Sequence, residues 1–362
     1  MHVKICVCEE RYEQGMRKIA ILGFGTVGSG VYEVLKAAED ITIQYIVDLR
    51  EFPGHPLADR VTASFDKVLA DADVEVVVET MGGVKIAYDY TKRALLAGKS
   101  VVTSNKAVVD ACGEELEAIA REKGVSYLYE ASVGGGIPIL HPLRDCFAAD
   151  RIVKISGILN GTTNYMLTRM AETGCTMEEA LAEAQALGYA EQDPTADVEG
   201  HDAARKICIL AGLAFGHYIP YTEVRCLTGI RDVTTEDIRL AAEQHCVIRL
   251  LGTAERICAD GKEHLRLAVA PYLVPEDSLL HAVKGAFNAI SVIGEAVGEV
   301  LFYGQGAGSM PTASAVACDV REALARKPIP APRRPLEAGY VLPDCATHRT
   351  VTLPNGKTYF AL

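Results

Sequence analysis

Residues 17–48, RKIAILGFGTVGSGVYEVLKAAEDITIQYIVD, decide the fold. KIAIL (18–22) is a short apolar run, GFGTVG (23–28) a glycine turn, SGVYEVLKAAE (29–39) is helical in its periodicity, and ITIQYIVD (41–48) is a second apolar run with an acidic end. That order makes a βαβ unit. A GxGxxG match alone is weak, but here it follows a strand, opens a helix and leads to Asp48, twenty residues beyond Gly28. Gly23 would allow the tight turn, Gly25 would let the backbone approach a pyrophosphate, and Gly28 would let helix and strand pack closely. Glycines in an ordinary turn would not account for Asp48. A dinucleotide site is therefore expected, with the phosphates on the free N–H groups of the helix N-terminus.

Further strands are expected at VEVVVET (74–80), KSVVTSN (99–105) and VSYLYEA (125–131), with helices at 84–97 and 107–123, which is the spacing of a doubly wound parallel sheet. VVVETMGG and VVTSNK put small or polar residues at strand carboxyl ends, where ligands bind in open α/β sheets, so Lys106 is expected near the nicotinamide. After about residue 148 the tight alternation stops. RIVKISGILNG (151–161) and EHLRLAVAPYLV (263–274) read as strands, and TMEEALAEAQALG (176–188) as a helix opened by a Thr176/Glu179 capping box. GQGAGSMPTASAVACDV (304–320) reads as a second glycine turn opening a helix, with Pro311 in its first turn. The expected organisation is a Rossmann-like α/β domain over 17–148, completed by a helix at 304–325, an α+β catalytic and dimerisation domain over 149–303, and an extended tail over 327–362.

A net charge of −12 argues against nucleic acid and anionic membranes as partners, leaving small molecules and copies of the chain itself. The eleven cysteines include no CxxC pair, and Cys208, Cys246 and Cys318 sit in helix-like apolar patterns, so reduced thiols and a cytoplasmic location are expected, without zinc or disulfides. No apolar run reaches the ~18 residues of a membrane span. Residues 1–16 lack a signal peptide's pattern and read as an upstream extension, with Met16 as an alternative start.

EGHDAARKICILAGLAF (199–215) carries the chemistry. On a helix, Asp202, Lys206, Ile209, Leu210 and Leu213 share a stripe that begins charged and becomes wholly apolar. An exposed i,i+4 pair contributes only a few tenths of a kcal/mol. This lysine instead stands at the edge of an interior, where ammonium groups are rarely found without a partner or a task.

Taken together, GFGTVG, SNKAVV, EASVGGGIP, LNGTTNY, GYAEQDPTADVEGHDAARK and GQGAGSMPTA resemble homoserine dehydrogenases in order, spacing and wording over roughly residues 17–325. The resemblance implies NAD(P)-dependent interconversion of L-homoserine and L-aspartate 4-semialdehyde, in threonine, methionine and isoleucine biosynthesis. It implies Lys206 as the proton-transferring residue, with Lys106 close by as a second cation and Asp202 orienting the ammonium or the substrate. Two ammonium groups near one oxygen would each ease the other's loss of a proton, and which lysine moves it stays open. Glu191 is implied as ligand of the substrate ammonium. Asp197 is implied in the substrate site, although Asp193 and Asp197 read equally as caps of the following helix. Cofactor contacts are implied at Gly23, Phe24, Gly25, Thr26, Val27, Gly28, Asp48, Arg50, Thr80, Ser104, Lys106, Gly188 and Gly306. The resemblance further implies a monovalent cation (Na or K) at Glu130, Val133, Gly135 and Ile137, for which a glycine hinge is the alternative reading, and a homodimer.

Asp48 would bond the adenosine ribose hydroxyls and repel a 2′-phosphate, while Arg50 could accept one, so NAD is expected to be preferred and NADP tolerated. A thioester-forming aldehyde dehydrogenase would need a cysteine in EASVGGGIP or SNK, and neither has one. A non-catalytic NAD sensor would not need Lys106, Glu191, Asp202 and Lys206 together. Many homoserine dehydrogenases carry a βαββαβ (ACT-type) regulatory domain after the catalytic part. Here 36 residues follow Arg326, beginning with KPIPAPRRP, so a short form indifferent to threonine is expected. Within the tail, VTLPNGKTYFAL would form one hairpin around Asn355-Gly356, docked on the main body or on a partner.

Overall fold

Ile19, Ala20, Ile21 and Leu22 are all inaccessible to solvent, because a parallel strand inside an α/β sheet is covered on both faces. They belong to β1 (Arg17–Leu22), the centre of a parallel sheet ordered β3-β2-β1-β4-β5-β6 in the computed structural model, which describes residues 16–259, 261–325, 333–342, 345 and 348–362. The proposed extension before Met16 and residues 327–332 of the proline-rich segment lie outside the described residues. The elements of this sheet are α1 (Thr26–Leu35), β2 (Ile41–Val47), β3 (Val61–Thr62), α2 (Phe65–Ala70), β4 (Val74–Glu79), α3 (Lys85–Leu96), β5 (Ser100–Thr103), α4 (Lys106–Lys123) and β6 (Tyr127–Leu128). The order is that of a doubly wound dinucleotide fold, with its crevice where β1 and β4 diverge.

Gly28 explains the close fit of β1 to α1. A Cβ there would stand 2.1 Å from the Gly23 carbonyl oxygen, whereas a Cβ on Gly25 would meet nothing within 4 Å. Ile19 and Ile21 pack on the α1 side, while Ala20 and Leu22 pack on the opposite face with Leu95 and Leu116 of α3 and α4.

The second sheet is built from β7 (Ile152–Ile158), β8 (Cys226–Leu227), β9 (Cys246–Ala259), β10 (Lys262–Pro275), β11 (Phe287–Gly294), β12 (Gly298–Gln305), β13 (Thr350–Thr352) and β14 (Thr358–Ala361). Its order is β12-β11-β7-β9-β10-β14-β13, with β8 paired to β10. Between these strands lie α5 (Gly161–Thr173), α6 (Met177–Ala186), α7 (Thr195–Val198), α8 (His201–Phe215) and α9 (Thr235–Glu243), and α5, α8 and α9 pack on the sheet. The Thr176/Glu179 capping box opens α6, with hydrogen bonds of 3.3 and 2.8 Å. After β12 the chain returns to the first sheet: α10 (Ser309–Leu324) packs on α1, and Ser309 Oγ donates to the Thr26 carbonyl at 2.7 Å.

Three expectations are corrected. The strand at 125–131 shrinks to Tyr127–Leu128 and gives way to a 3-10 turn at Glu130–Ser132. There the Glu130 N–H goes to Asp319 (2.8 Å) instead of a strand partner. Cys246 opens a strand, β9, and is not helical. The cysteines are not all thiols, since Cys226 and Cys345 form a disulfide with Cα atoms 5.5 Å apart. The tail segment explains that pairing. Leu265 of β10 bonds the backbone of Tyr340 (2.8 Å) and Leu342 (2.9 Å), which carries Cys345 towards β8 on the same strand.

The closing hairpin turns at Gly356 (φ 86°) and adds β14 in parallel to β10. Buried Asp237 anchors it, accepting from Lys357 Nζ at 2.7 Å and Asn355 Nδ2 at 2.6 Å.

The glycine turn generates a paired prediction. Gly28→Ala should cost on the order of 2 kcal/mol and lower Tm by several degrees, while Gly25→Ala should leave Tm within about one degree. Thermal denaturation of both variants checks it. A second prediction comes from Glu79, fully buried at the end of β4, where Thr103 Oγ1 (2.6 Å) and the Met81 N–H (2.7 Å) donate to it. Burial pushes its carboxyl up to about 7 against the opposing pull of those donors. The folded state therefore binds more protons than the unfolded chain between the ordinary 4.5 and about 7, and stability falls as pH rises through that window. Denaturant titrations at pH 5 and pH 8 should show wild type losing on the order of 2 kcal/mol more than Glu79→Gln across the interval.

Candidate active site

Gly200 (φ 83°) turns the chain from α7 into α8 and sets the charged start of α8 against the start of α5. Asp202 and Lys206 lie one turn apart, with Lys206 Nζ 2.7 Å from Asp202 Oδ2 and donating to the Leu159 carbonyl at 2.7 Å. Lys106 arrives from the other sheet as the first residue of α4, whose start is capped by Asn105, and its Nζ is 3.1 Å from Asp202 Oδ1. Asp202 is thus a carboxylate between two ammonium groups, one from each sheet.

Asn160 holds this arrangement from below. Its side-chain oxygen caps α5 by accepting from the Thr163 N–H (2.9 Å), and its Nδ2 donates to Asp202 (2.9 Å) and Asp197 (2.7 Å). Burial would raise the Asp202 carboxyl, but Lys206, Lys106 and the Asn160 amide outweigh it and hold the group well below the carboxylate range. Asp197 is shifted the other way, upward, by burial above all. Neither Asn160 nor the Leu159 carbonyl was foreseen. LNG before a helix signals an N-cap, and only the tertiary fold shows that the same amide bridges two aspartates.

At the cofactor end, Gly23 adopts φ 84°, and Thr80 Oγ1 donates to its carbonyl at 2.7 Å. The first turn of α1, with Thr26 and Val27, has no side-chain cap, so its N–H groups are free for an anion. Asp48 ends β2 and accepts from the Phe24 N–H at 2.8 Å. Arg50 folds back on Asp48 through two side-chain contacts, 3.0 and 2.8 Å, and that pairing is the main reason the Asp48 carboxyl lies well below its ordinary value. Ser104 lies between Glu79 and Lys106, bonded to each through the backbone (3.3 and 3.1 Å). A Cβ on Gly306 would strike Asn288 at 2.1 Å, and one on Gly135 would meet Gly306 at 2.6 Å, so the 134–136 loop lies against the 304–308 turn. An uncapped helix start, a turn only glycine can make and an ionised acid at the strand end fit a dinucleotide.

Glu191 stands on the exposed loop after Gly188 (φ 76°), and its carboxylate has no partner among the described residues. The two aspartates left open by the sequence separate. Asp193 accepts from the Thr195 N–H (3.1 Å) at the entry to α7, whose N-cap position is Pro194, whereas Asp197 lies inside α7 and faces Asn160. In the 130–137 loop the Glu130 carboxylate is occupied by the N–H groups of Ile139, Leu140 and His141. Among the described residues no backbone N–H is donated to the carbonyls of Val133, Gly135 or Ile137, which leaves three oxygens suited to a hard cation. Glu130, His141 and Asp319 also lie within metal-binding reach of one another. That cluster carries its own cation: His141 bonds Asp319 at 2.7 Å and lies 2.9 Å from Glu322, and these two contacts raise it to about 10.

Comparison with known proteins agrees with this geometry. The family description "Homoserine dehydrogenase, NAD binding domain" matches residues 23–130, and "Homoserine dehydrogenase" matches residues 138–320. A Synechocystis homoserine dehydrogenase is 44% identical over 315 residues, 84% of this chain and 72% of the relative. A crystal structure of a Thiobacillus denitrificans homoserine dehydrogenase superposes with a TM-score of 0.81 at 39% identity, covering 89% of this chain and 80% of that one. A hyperthermophilic archaeal homoserine dehydrogenase mutant in complex with NADPH matches at 0.72 and 28% identity, covering 87% and 99%. With a doubly wound sheet of the dinucleotide-binding type joined to the second sheet by a Lys–Asp–Lys bridge, and with relatives of this similarity across both sheets, the chain belongs to the homoserine dehydrogenase family, oxidoreductases acting on the homoserine hydroxyl.

Proposed function

We propose that Lys206 transfers the proton to and from the C4 oxygen of the substrate, that Asp202 fixes its orientation, and that Lys106 supplies a second positive charge to the same oxygen. The observation that supports this reading is the accounting of N–H groups on Lys206. Of its three donors, one faces Asp202 and one the Leu159 carbonyl, leaving one for a substrate oxygen. Among the described residues Lys106 has a single such partner, and its side chain is 40% exposed, open to an incoming ligand.

The bound nicotinamide supplies the hydride acceptor, or in reverse the donor. When homoserine is oxidised, Lys206 enters as the neutral amine and takes the C4 hydroxyl proton, while the ammonium group of Lys106 stabilises the charge that develops on the oxygen. In reduction, Lys206 gives a proton to the oxygen and recovers one from solvent through the exposed side of the cleft. Glu191, exposed and without a side-chain partner among the described residues, receives the substrate ammonium, and Asp197 shapes the same end of the site through Asn160.

NAD is the preferred cofactor on this reading. Asp48 is ionised where the ribose hydroxyls would bind, and Arg50 is already engaged by it. A monovalent cation on the carbonyls of Val133, Gly135 and Ile137, beside Glu130, stiffens the loop against the 304–308 turn. A homodimer belongs to the same reading, with the stacked pair Phe287 and Tyr303 (centroids 5.2 Å) giving the β11–β12 edge an exposed aromatic surface.

Lys206→Met should keep NAD affinity and a cooperative fold, with Tm lowered because buried Asp202 loses a partner, while reducing kcat by a factor on the order of 10² or more. Steady-state kinetics beside NAD titration checks this, and near-normal turnover would remove Lys206 from the mechanism. Cofactor choice is read from kcat/KM. NAD should exceed NADP, and a value for NADP more than about tenfold higher would overturn the role given to Asp48.

A further inference from the structure

The helices that carry the active site both end at a second cavity. α4 begins at Lys106 and α8 near Asp202 and Lys206, and the two helices pack side by side. At the other end, a cavity of about 450 Å³ is lined by Arg121 from the last turn of α4 and by Leu213 to Gly216 from the end of α8. Over its 18 residues α4 spans about 27 Å, so this cavity is remote from the lysines. The tail closes one side of it. Arg333 reaches the Glu117 carboxylate of α4, bonds Tyr129 Oη at 3.1 Å, and lies 3.9 Å over the ring of Tyr218, just beyond α8.

Four buried side-chain atoms of the lining, Arg121 Nε, Tyr127 Oη, Arg333 Nε and Glu322 Oε2, have no hydrogen-bond partner among the described residues, but Arg333 and Glu322 are held in ion pairs. Arg121 forms no ion pair or side-chain hydrogen bond among the described residues, although its Nε is buried. A cation in a helix's last turn is favourable in itself, but that does not explain a guanidinium N–H withdrawn from water without an acceptor. The hydroxyl of Tyr127, a residue only 7% exposed, is also buried and unpartnered, and burial raises it well above its ordinary value, so it stays a neutral donor. The other cations of the lining are committed: Arg144 and His141 to Glu322 and Asp319, Arg333 to Glu117. Arg121, which has no ion pair among the described residues, and the Tyr127 phenol both lack an acceptor, a need that matches a single carboxylate better than a phosphate dianion. The rest of the wall combines apolar side chains, Leu140, Leu143, Phe147, Ile152 and Phe215, with acids that already have partners: Glu130 accepts three backbone N–H groups, Asp319 and Glu322 meet His141, and Asp150 accepts from Ala296 and Val297. The volume is that of a small-molecule site.

We propose that this cavity is an effector site for a small carboxylate with an apolar body, held by Arg121 and Tyr127. A ligand there contacts the ends of both helices whose starts form the Lys106–Asp202–Lys206 bridge, so it biases how α4 and α8 meet. The coupling rests on the catalytic reading given above, whereas the binding does not.

The test is titration calorimetry of the full chain with 4-phenylbutyrate and with its uncharged isostere 4-phenylbutanamide, followed by homoserine oxidation rates at saturating 4-phenylbutyrate. The expected result is one carboxylate bound per chain, at least about tenfold tighter than the amide, with Arg121→Gln and Tyr127→Phe each weakening it by about tenfold or more. Saturation should change kcat/KM for L-homoserine at least threefold in wild type and leave it unchanged in Arg121→Gln. No binding up to about 10 mM, equal binding of the amide, or full affinity in Arg121→Gln overturns the site, and saturation without any change in rate overturns its effector role. If Lys206→Met proves active while 4-phenylbutyrate still binds, the catalytic reading fails and the site stands.

Discussion

One buried carboxylate, Asp202, organises the molecule by facing an ammonium group from each sheet. Taking the Asp202 and Lys206 charges out of water is unfavourable unless each meets a partner at close range. Lys206 at 2.7 Å, Lys106 at 3.1 Å and the Asn160 amide at 2.9 Å meet that condition. Removing any one of them would leave an uncompensated charge or an unpaired polar group in the interior. The bridge is therefore the electrostatic contact that sets the start of α4 on the start of α8, and in the proposed mechanism it is also the group that handles the substrate oxygen.

Much of the surrounding structure serves that contact. Asn105 and Asn160 cap α4 and α5 at the points where those helices approach Asp202. Gly200 provides the left-handed turn that starts α8 there. The close approach of Gly135 to Gly306 fixes the loops between the two sheets. The tail adds restraints from the far side: Arg333 on Glu117, Asp237 beneath the closing hairpin, and the Cys226–Cys345 disulfide. A long chain segment is thereby held against both ends of the β8–β10 region without a core of its own.

Local patterns were readable from the sequence because their physics is local. The glycine turn with Asp48, the capping box at Thr176, the Asn355-Gly356 hairpin and the Asp202/Lys206 stripe each span a few turns of chain at most. The features that escaped depend on residues far apart. Cys226 and Cys345 are separated by 119 residues, and no spacing rule pairs them. Tyr127 and Leu128 read as part of a longer strand because nothing local reveals that Glu130 will spend its carboxylate on three N–H groups of the next loop. Asn160 read only as part of a motif, since its second role needs Asp197 and Asp202 folded over it. The cavity at Arg121 and Tyr127 has no sequence signature at all, because it is the space between the ends of two helices from different sheets.

The central claim is that Lys106 and Asp202 act as one unit across the two sheets. A double-mutant cycle on kcat/KM for L-homoserine, using Lys106→Met, Asp202→Asn and the combination, measures this directly. Residues acting as a unit lose function together, so the double variant should be little worse than the poorer single variant, with a coupling of about 1.4 kcal/mol or more. Losses that multiply, with coupling near zero, would contradict the account.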